Sequence, residues 1–169
     1  LQLPQVGYLA PDDPRMVSTV EAIERELLHD GLLLRYRTDT GVDGLPAGEH
    51  PFLACSFWLV EQYASSGRMD DARVLMDRLV SFTNDVGLLS EEYDVAGDRQ
   101  VGNVPQALSH LALVRAADAI ARQIRLQLSC PRHQGRAEAE GVVARQRARE
   151  QETVLQVRRR PGQERVEID

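Results

Sequence analysis

Apolar residues recur at helical spacing in four stretches of the chain. The first covers residues 14–29, where Val17, Val20, Ile23, Leu27 and Leu28 fall on one stripe. Asp13 stands at the N-cap position, Pro14 suits the first turn, and Gly31 provides the stop. His29 sits at the predicted helix end, where a cation complements the dipole. The second stretch, about 51–65, opens at Pro51 and is apolar on more than one side, through Phe52, Leu53, Cys55, Leu59, Val60 and Tyr63. That pattern predicts a helix buried on several faces. Gly67 ends it, and a third helix starts almost at once with Asp70 and Asp71 in its first turn. Its inward face is Ala72, Leu75, Met76, Leu79 and Val80, to about residue 82. So short a turn predicts that helices two and three fold back as a hairpin. A fourth helix is expected from about 104 to 127, capped by Asn103, with Pro105 in its first turn. Its packed face includes Leu108, Leu111, Ala112, Ala119 and Ile120.

Between these stretches the connections alternate long, short, long. The long ones cover about 30–50 and 84–103, each broken by Gly and Asp. No alternation of period two persists beyond a few residues, so the class is all-α. Loops of this length in a compact domain usually carry function. In a ring of paired helices both long loops fall on one rim, which makes them candidates for one shared active-site face.

Composition adds mainly exclusions. The chain has 169 residues, 43% of them hydrophobic, and a net charge of −6. All 20 of its Lys and Arg positions are arginine. Without lysine a phosphate-binding Walker loop and Schiff-base chemistry are both excluded. No apolar run is long enough for a transmembrane helix, and the start lacks the basic and apolar regions of a signal peptide. It also lacks an initiator Met, which a fragment or a processed chain would explain. Cys55 and Cys130 are too few and too far apart for a zinc site. Cys55 reads as a reduced core residue, compatible with a cytoplasmic setting. No metal or cofactor is expected. The acidic first part repels nucleic acid. The tail from 128 to 169 is Arg-rich but has no aromatic residue to stack bases. It reads as a polar segment, disordered or loosely helical over about 137–158, beside a helical domain at 1–127.

The second long connection carries the densest chemistry: Leu88-Leu89-Ser90-Glu91-Glu92-Tyr93-Asp94, then Asp98-Arg99-Gln100 and Gly102-Asn103-Val104-Pro105-Gln106-Ala107-Leu108-Ser109-His110. Adjacent glutamates in a loop are usually solvated, but the two leucines anchor this one. The segment resembles the base-bearing region of family 15 glycoside hydrolases, which includes glucoamylases and bacterial trehalase-like enzymes. The bacterial branch is the nearer likeness. On that resemblance Glu91 is the general base and Glu92 fills the neighbouring Gln-or-Glu position. The first long connection resembles the family as well. Arg35-Tyr36 matches a pair whose Arg binds sugar hydroxyls, and Glu49-His50-Pro51-Phe52 matches the segment lining the sugar pocket. His50 stands where bacterial members usually have Gly. The substrate-binding set is thus Arg35, Tyr36, Glu49, Phe52 and Glu92. Trp58 and His110 read as packed residues.

The resemblance covers residues 1–115 and implies a fold and a reaction. The fold would be part of an (α/α)6 toroid, about half of the ring. The reaction would be inverting hydrolysis of α-linked glucosides such as trehalose or α-1,4-glucans, with no cofactor. Inversion needs a protonated carboxyl and an ionised one roughly 6.5–9.5 Å apart. No stretch of residues 1–90 resembles the family's acid motif, so the acid and the N-terminal half of the ring are expected outside this chain, which would be inactive alone. Two other readings stay open. One is a helical-repeat interaction module, suggested by SSGRMDDARVLMDRLV, although no 34-residue period returns. The other is a different toroid enzyme, although no aspartate-rich magnesium motif is present.

Overall fold

The structure, a computed structural model, describes residues 1–37 and 48–129. The middle of the first long connection, Cys130, His133 and the tail lie outside the described residues. The chain divides into two compact units, Leu1–Ile124 and Arg125–Asp169. The following concerns the first, whose last helix continues to Ser129.

Helix α1 spans Pro14–Leu27, and the Arg15 N–H donates to the Asp13 carboxylate at 2.9 Å. Its buried residues are Met16 and Val20. Val17 and Leu28, expected on the inner stripe, are exposed. Met16 takes the inward position instead, and Leu28 has already left the helix. The chain passes into a two-residue hairpin, β1 at Leu28–His29 and β2 at Leu32–Leu33. Asp30 and Gly31 both have positive φ, 49° and 73°. Asp-Gly with both residues left-handed is the tight hairpin turn whose twist matches paired strands. Gly31 therefore closes a hairpin rather than stopping a helix, and His29 lies exposed in the first strand, two residues past the end of α1. The Arg78 guanidinium donates to the Asp30 carbonyl, and a Cβ on Gly31 would collide with it.

Helix α2, Leu53–Ser65, is the centre of the core. Eleven of its residues are buried, among them Phe57, Leu59 and Val60. A turn at Gly67 (φ 90°) leads to α3, Met69–Val80. Met69, Ala72, Leu75 and Leu79 face the core, while Val80, expected inward, is exposed. Glu61 of α2 is a buried charge. It accepts from Gln5 of the N-terminal segment and from Arg115 of the last helix, at 3.1 and 3.3 Å for the latter. This pairing removes the penalty of an uncompensated buried carboxylate. It also ties three distant parts of the chain together.

The second long connection contains a second ribbon, β3 at Glu92–Asp94 and β4 at Arg99–Val101, with Tyr93 opposite Gln100. The Tyr93 ring stacks on Phe82 with centroids 3.8 Å apart. The Gln100 side chain donates to the carbonyls of Phe82 and Leu88 at 2.6 and 2.9 Å. The described residues are therefore mostly helical, but not purely so. The two ribbons have strands too short to leave a periodic trace.

Helix α4 runs Ala107–Ser129, three residues later than expected at its start. Val104 precedes a proline, which disfavours helical φ and ψ, and Asn103 is engaged elsewhere. The buried face of α4 is Ser109, Ala112, Ala116 and Ala119, whereas Leu108 and Leu111 face outward. Ala112 and Ala119 lie inward as expected, with Ile120 packed against the core; small side chains at i, i+3, i+7 and i+10 let the helix approach closely, and the two leucines fall outside that face. No helix among the described residues is long and apolar enough to cross a membrane.

Phe57 has no solvent exposure. Truncation by Phe57→Ala is expected to lower stability by about 3–5 kcal/mol, read as a drop in the urea midpoint.

Candidate active site

The site grows from the start of α2. Its N-cap residue, Phe52, has no side chain able to accept a hydrogen bond. The free N–H groups of a buried helix start must nevertheless be satisfied. Backbone from both long connections does this. The Phe52 N–H donates to the Leu33 carbonyl at 2.8 Å and the Leu53 N–H to the Glu91 carbonyl at 3.0 Å. The Tyr93 N–H donates back to Pro51 at 3.1 Å, completing a bridge between Phe52 and Glu92. The two long connections therefore meet here, next to one another.

All six predicted site residues gather at this junction. Arg35 donates to Glu49 Oε1 at 2.6 Å, and the Tyr36 hydroxyl donates to the same oxygen at 3.1 Å. The Arg35 guanidinium lies 5.0 Å from the Tyr36 ring centroid and 5.3 Å from that of Phe52. Phe52 itself is buried, and Arg35 lies over one face of its ring. Glu92 Oε2 accepts the His50 backbone N–H at 3.3 Å. His50 Nδ1 sits 3.8 Å from the Asp94 carboxylate, so an imidazolium here would pair with it. The Gly97 N–H, 2.9 Å from Asp94 Oδ1, holds the Asp94 carboxyl below its ordinary value, helped by His50 and Arg99.

Glu91 occupies the middle. Its N–H donates to the Asn103 carbonyl at 3.0 Å. Its Oε2 accepts from the Asn103 side chain at 2.9 Å and from the Asn103 backbone N–H at 3.4 Å. Asn103 was expected as a helix cap; its side chain instead serves Glu91. Sequence reading could have suspected this from Gly102 beside it. Gly102 has φ 76°, and a Cβ there would stand 3.0 Å from Glu91 Cβ and 3.1 Å from Oε2. His110 is a packed residue: its Nε2 accepts the Leu89 N–H at 3.3 Å and its Nδ1 lies 2.8 Å from the Gln106 carbonyl.

A cavity of about 410 Å³ is lined by Arg35 together with Leu1, Leu27, Leu33, Cys55 and Trp58. It is apolar and does not include the glutamates. Trp58 packs against the core, as expected, and also borders this cavity. Burial pushes the Cys55 thiol up to about 11, which keeps it protonated and unreactive at neutral pH.

Three carboxylates in this small space repel one another. Burial, with Glu49 and Glu91 nearby, raises the Glu92 carboxyl above its ordinary value, against the lowering effect of the His50 N–H. A raised carboxyl means that the folded state binds more protons than the unfolded one. The Glu92 contribution to stability is therefore present at low pH and is lost as pH rises from the ordinary carboxylate value through the raised one. Glu92→Gln keeps an acceptor for His50 and removes the charge. It is expected to stabilise the protein at pH 7 by a few tenths of a kcal/mol, because solvent screens a partly exposed group. Below pH 4 the gain should vanish, and thermal melts of both proteins across pH 3–8 check this.

The comparisons with known proteins agree with this picture. The family model of Glycosyl hydrolases family 15 matches residues 1–118. A trehalase from Mycobacterium tuberculosis is 47% identical over 109 residues, which is 64% of this chain and 16% of that protein. A trehalase from Thermoplasma acidophilum is 41% identical over 118 residues, 69% of this chain and 20% of its own length. Trehalase 1 of Sulfolobus acidocaldarius is 33% identical over 116 residues, again 69% and 20%. The likeness is thus not confined to bacterial proteins. No solved structure matches the chain. The chain spans only about a sixth to a fifth of the length of these curated relatives. The matched segment holds both long connections and all six residues of the junction, and the chain belongs to glycosyl hydrolase family 15.

Proposed function

We propose that this chain is the base-bearing part of an inverting hydrolase of α-linked glucosides, with trehalose as the first substrate to test. The observation that carries the reading is the junction itself. A carboxylate, Glu91, is fixed by backbone on both sides and adjoins Glu92, while Arg35 pairs with Glu49 on the other long connection. The name shared by the relatives favours trehalose over longer glucans. In this reading the helices form one arc of an (α/α)6 toroid, and the site faces its interior.

Glu91 takes a proton from water as the water oxygen attacks the anomeric carbon from the face opposite the leaving group. The glycosidic bond breaks, and its electron pair goes to the leaving oxygen. That oxygen takes a proton from a second carboxylic acid. Arg35, held in place by Glu49, hydrogen-bonds sugar hydroxyls with the donors that Glu49 leaves free. Tyr36 and Glu92 complete the polar wall. The acid is assigned to sequence outside these 169 residues, where its position would be set by the rest of the ring.

The test is turnover of trehalose, maltose and starch oligosaccharides. The 169-residue chain alone is expected to give none. A longer chain that adds the acid-bearing part is expected to turn over trehalose, and Glu91→Gln should lower kcat at least 1000-fold (about 4 kcal/mol). Turnover by the short chain that Glu91→Gln abolishes would place the acid within these residues. Full turnover by the longer chain carrying Glu91→Gln would remove Glu91 from the mechanism.

A further inference from the structure

Asn103 and Glu91 bind each other through main chain and side chain at once. The Glu91 N–H donates to the Asn103 carbonyl at 3.0 Å. The Asn103 side-chain amide and its backbone N–H both donate back, to one carboxylate oxygen, Oε2, at 2.9 and 3.4 Å. The two residues thereby close a ring that fixes the side-chain torsions of Glu91. Gly102 leaves the space the carboxylate needs. With a φ of 76° and its missing Cβ 3.1 Å from Oε2, it is a position where a side chain would both strain the backbone and push on Glu91. The other oxygen, Oε1, accepts no hydrogen bond from the described residues.

We infer that Asn103 is a positioning residue that occupies Glu91 Oε2 and leaves Oε1 as the oxygen that takes the proton of the attacking water; this rests on Glu91 being the base. The two oxygens of a free carboxylate interchange by rotation about one bond. Donors aimed at only one of them remove that equivalence and hold the other on the substrate side. A base must lie within hydrogen-bond reach of the proton it removes, so an error of about 1 Å in this carboxylate costs rate directly. The Asn103 pair is exposed to solvent, so it adds little to stability. Its effect should appear in orientation and rate, leaving the melting temperature almost unchanged.

Two measurements test this. In the 169-residue chain, the two side-chain amide protons of Asn103 should be widely separated in the NMR spectrum, and Glu91→Gln should bring them to the values of a solvated amide. Solvated values in the unsubstituted chain, unmoved by Glu91→Gln, would overturn the contact. In an active chain that carries this segment with its acid partner, Asn103→Ala should lower kcat about 10- to 100-fold. KM should stay within about twofold, since uniform substrate binding is untouched. The isosteric Asn103→Asp, which replaces the amide donor by a charge, should lose at least as much. If Glu91→Gln abolishes turnover while Asn103→Ala and Asn103→Asp keep full kcat, the positioning role is wrong and the base assignment survives. If Glu91→Gln itself keeps full turnover, both fall together.

Discussion

A buried helix start without a side-chain cap is the constraint from which the arrangement follows. The first turn of α2 is packed in the core, and Phe52 cannot accept a hydrogen bond from it. Leaving such N–H groups unpaired would cost about 1–3 kcal/mol each. The chain meets this need with carbonyls of Leu33 and Glu91, which lie 19 and 38 residues away from their respective donors. Two long connections are drawn to one point as a result. The polar residues they carry are therefore neighbours for a structural reason, before any demand of chemistry.

Charge is the second theme. The junction brings Glu49 and Glu91 close to Glu92, and the Arg35 guanidinium donates to Glu49. This is an unfavourable arrangement for folding. The strain shows at Glu92, whose carboxyl is raised by its surroundings. Sites built for polar ligands commonly concentrate such disfavoured charge, and the surrounding packing must hold it in place.

Much of the fold was legible in the sequence, and the failures have physical causes. The cap at Asp13, the all-round apolar α2 and the Gly67 turn follow directly from residue type and spacing, and the structure places them so. The ribbons were invisible because strands of two or three residues carry no measurable period. The Asp30-Gly31 pair was the available signal, and it was read as a helix stop. On α4 the expected Ala112, Ala119 and Ile120 do pack inward, but leucines draw attention to Leu108 and Leu111, which are exposed, while Ser109 and Ala116 complete the buried face. Family likeness singles out six residues that the structure brings close together, where composition alone favours solvated surface for the glutamates. The Asn103 contact was missed, since a polar residue before a helix is ordinarily its cap.

The alanine face of α4 has a consequence for how this segment can drift in sequence. Ala112, Ala116 and Ala119 sit at close approach, with Ser109 donating to the Ser90 carbonyl at 2.8 Å. Loss of volume at these positions is limited to one methyl group, and a glycine there costs about 1 kcal/mol. Gain of volume has no such bound, because a larger side chain must move the whole helix, at about 1–3 kcal/mol or more. Substitution on this face is thus tolerated in one direction only. A helix lifted by a single added side chain would also drag on Gln106 and the turn just before it, so a replacement on this face would shift the loop that carries Glu91.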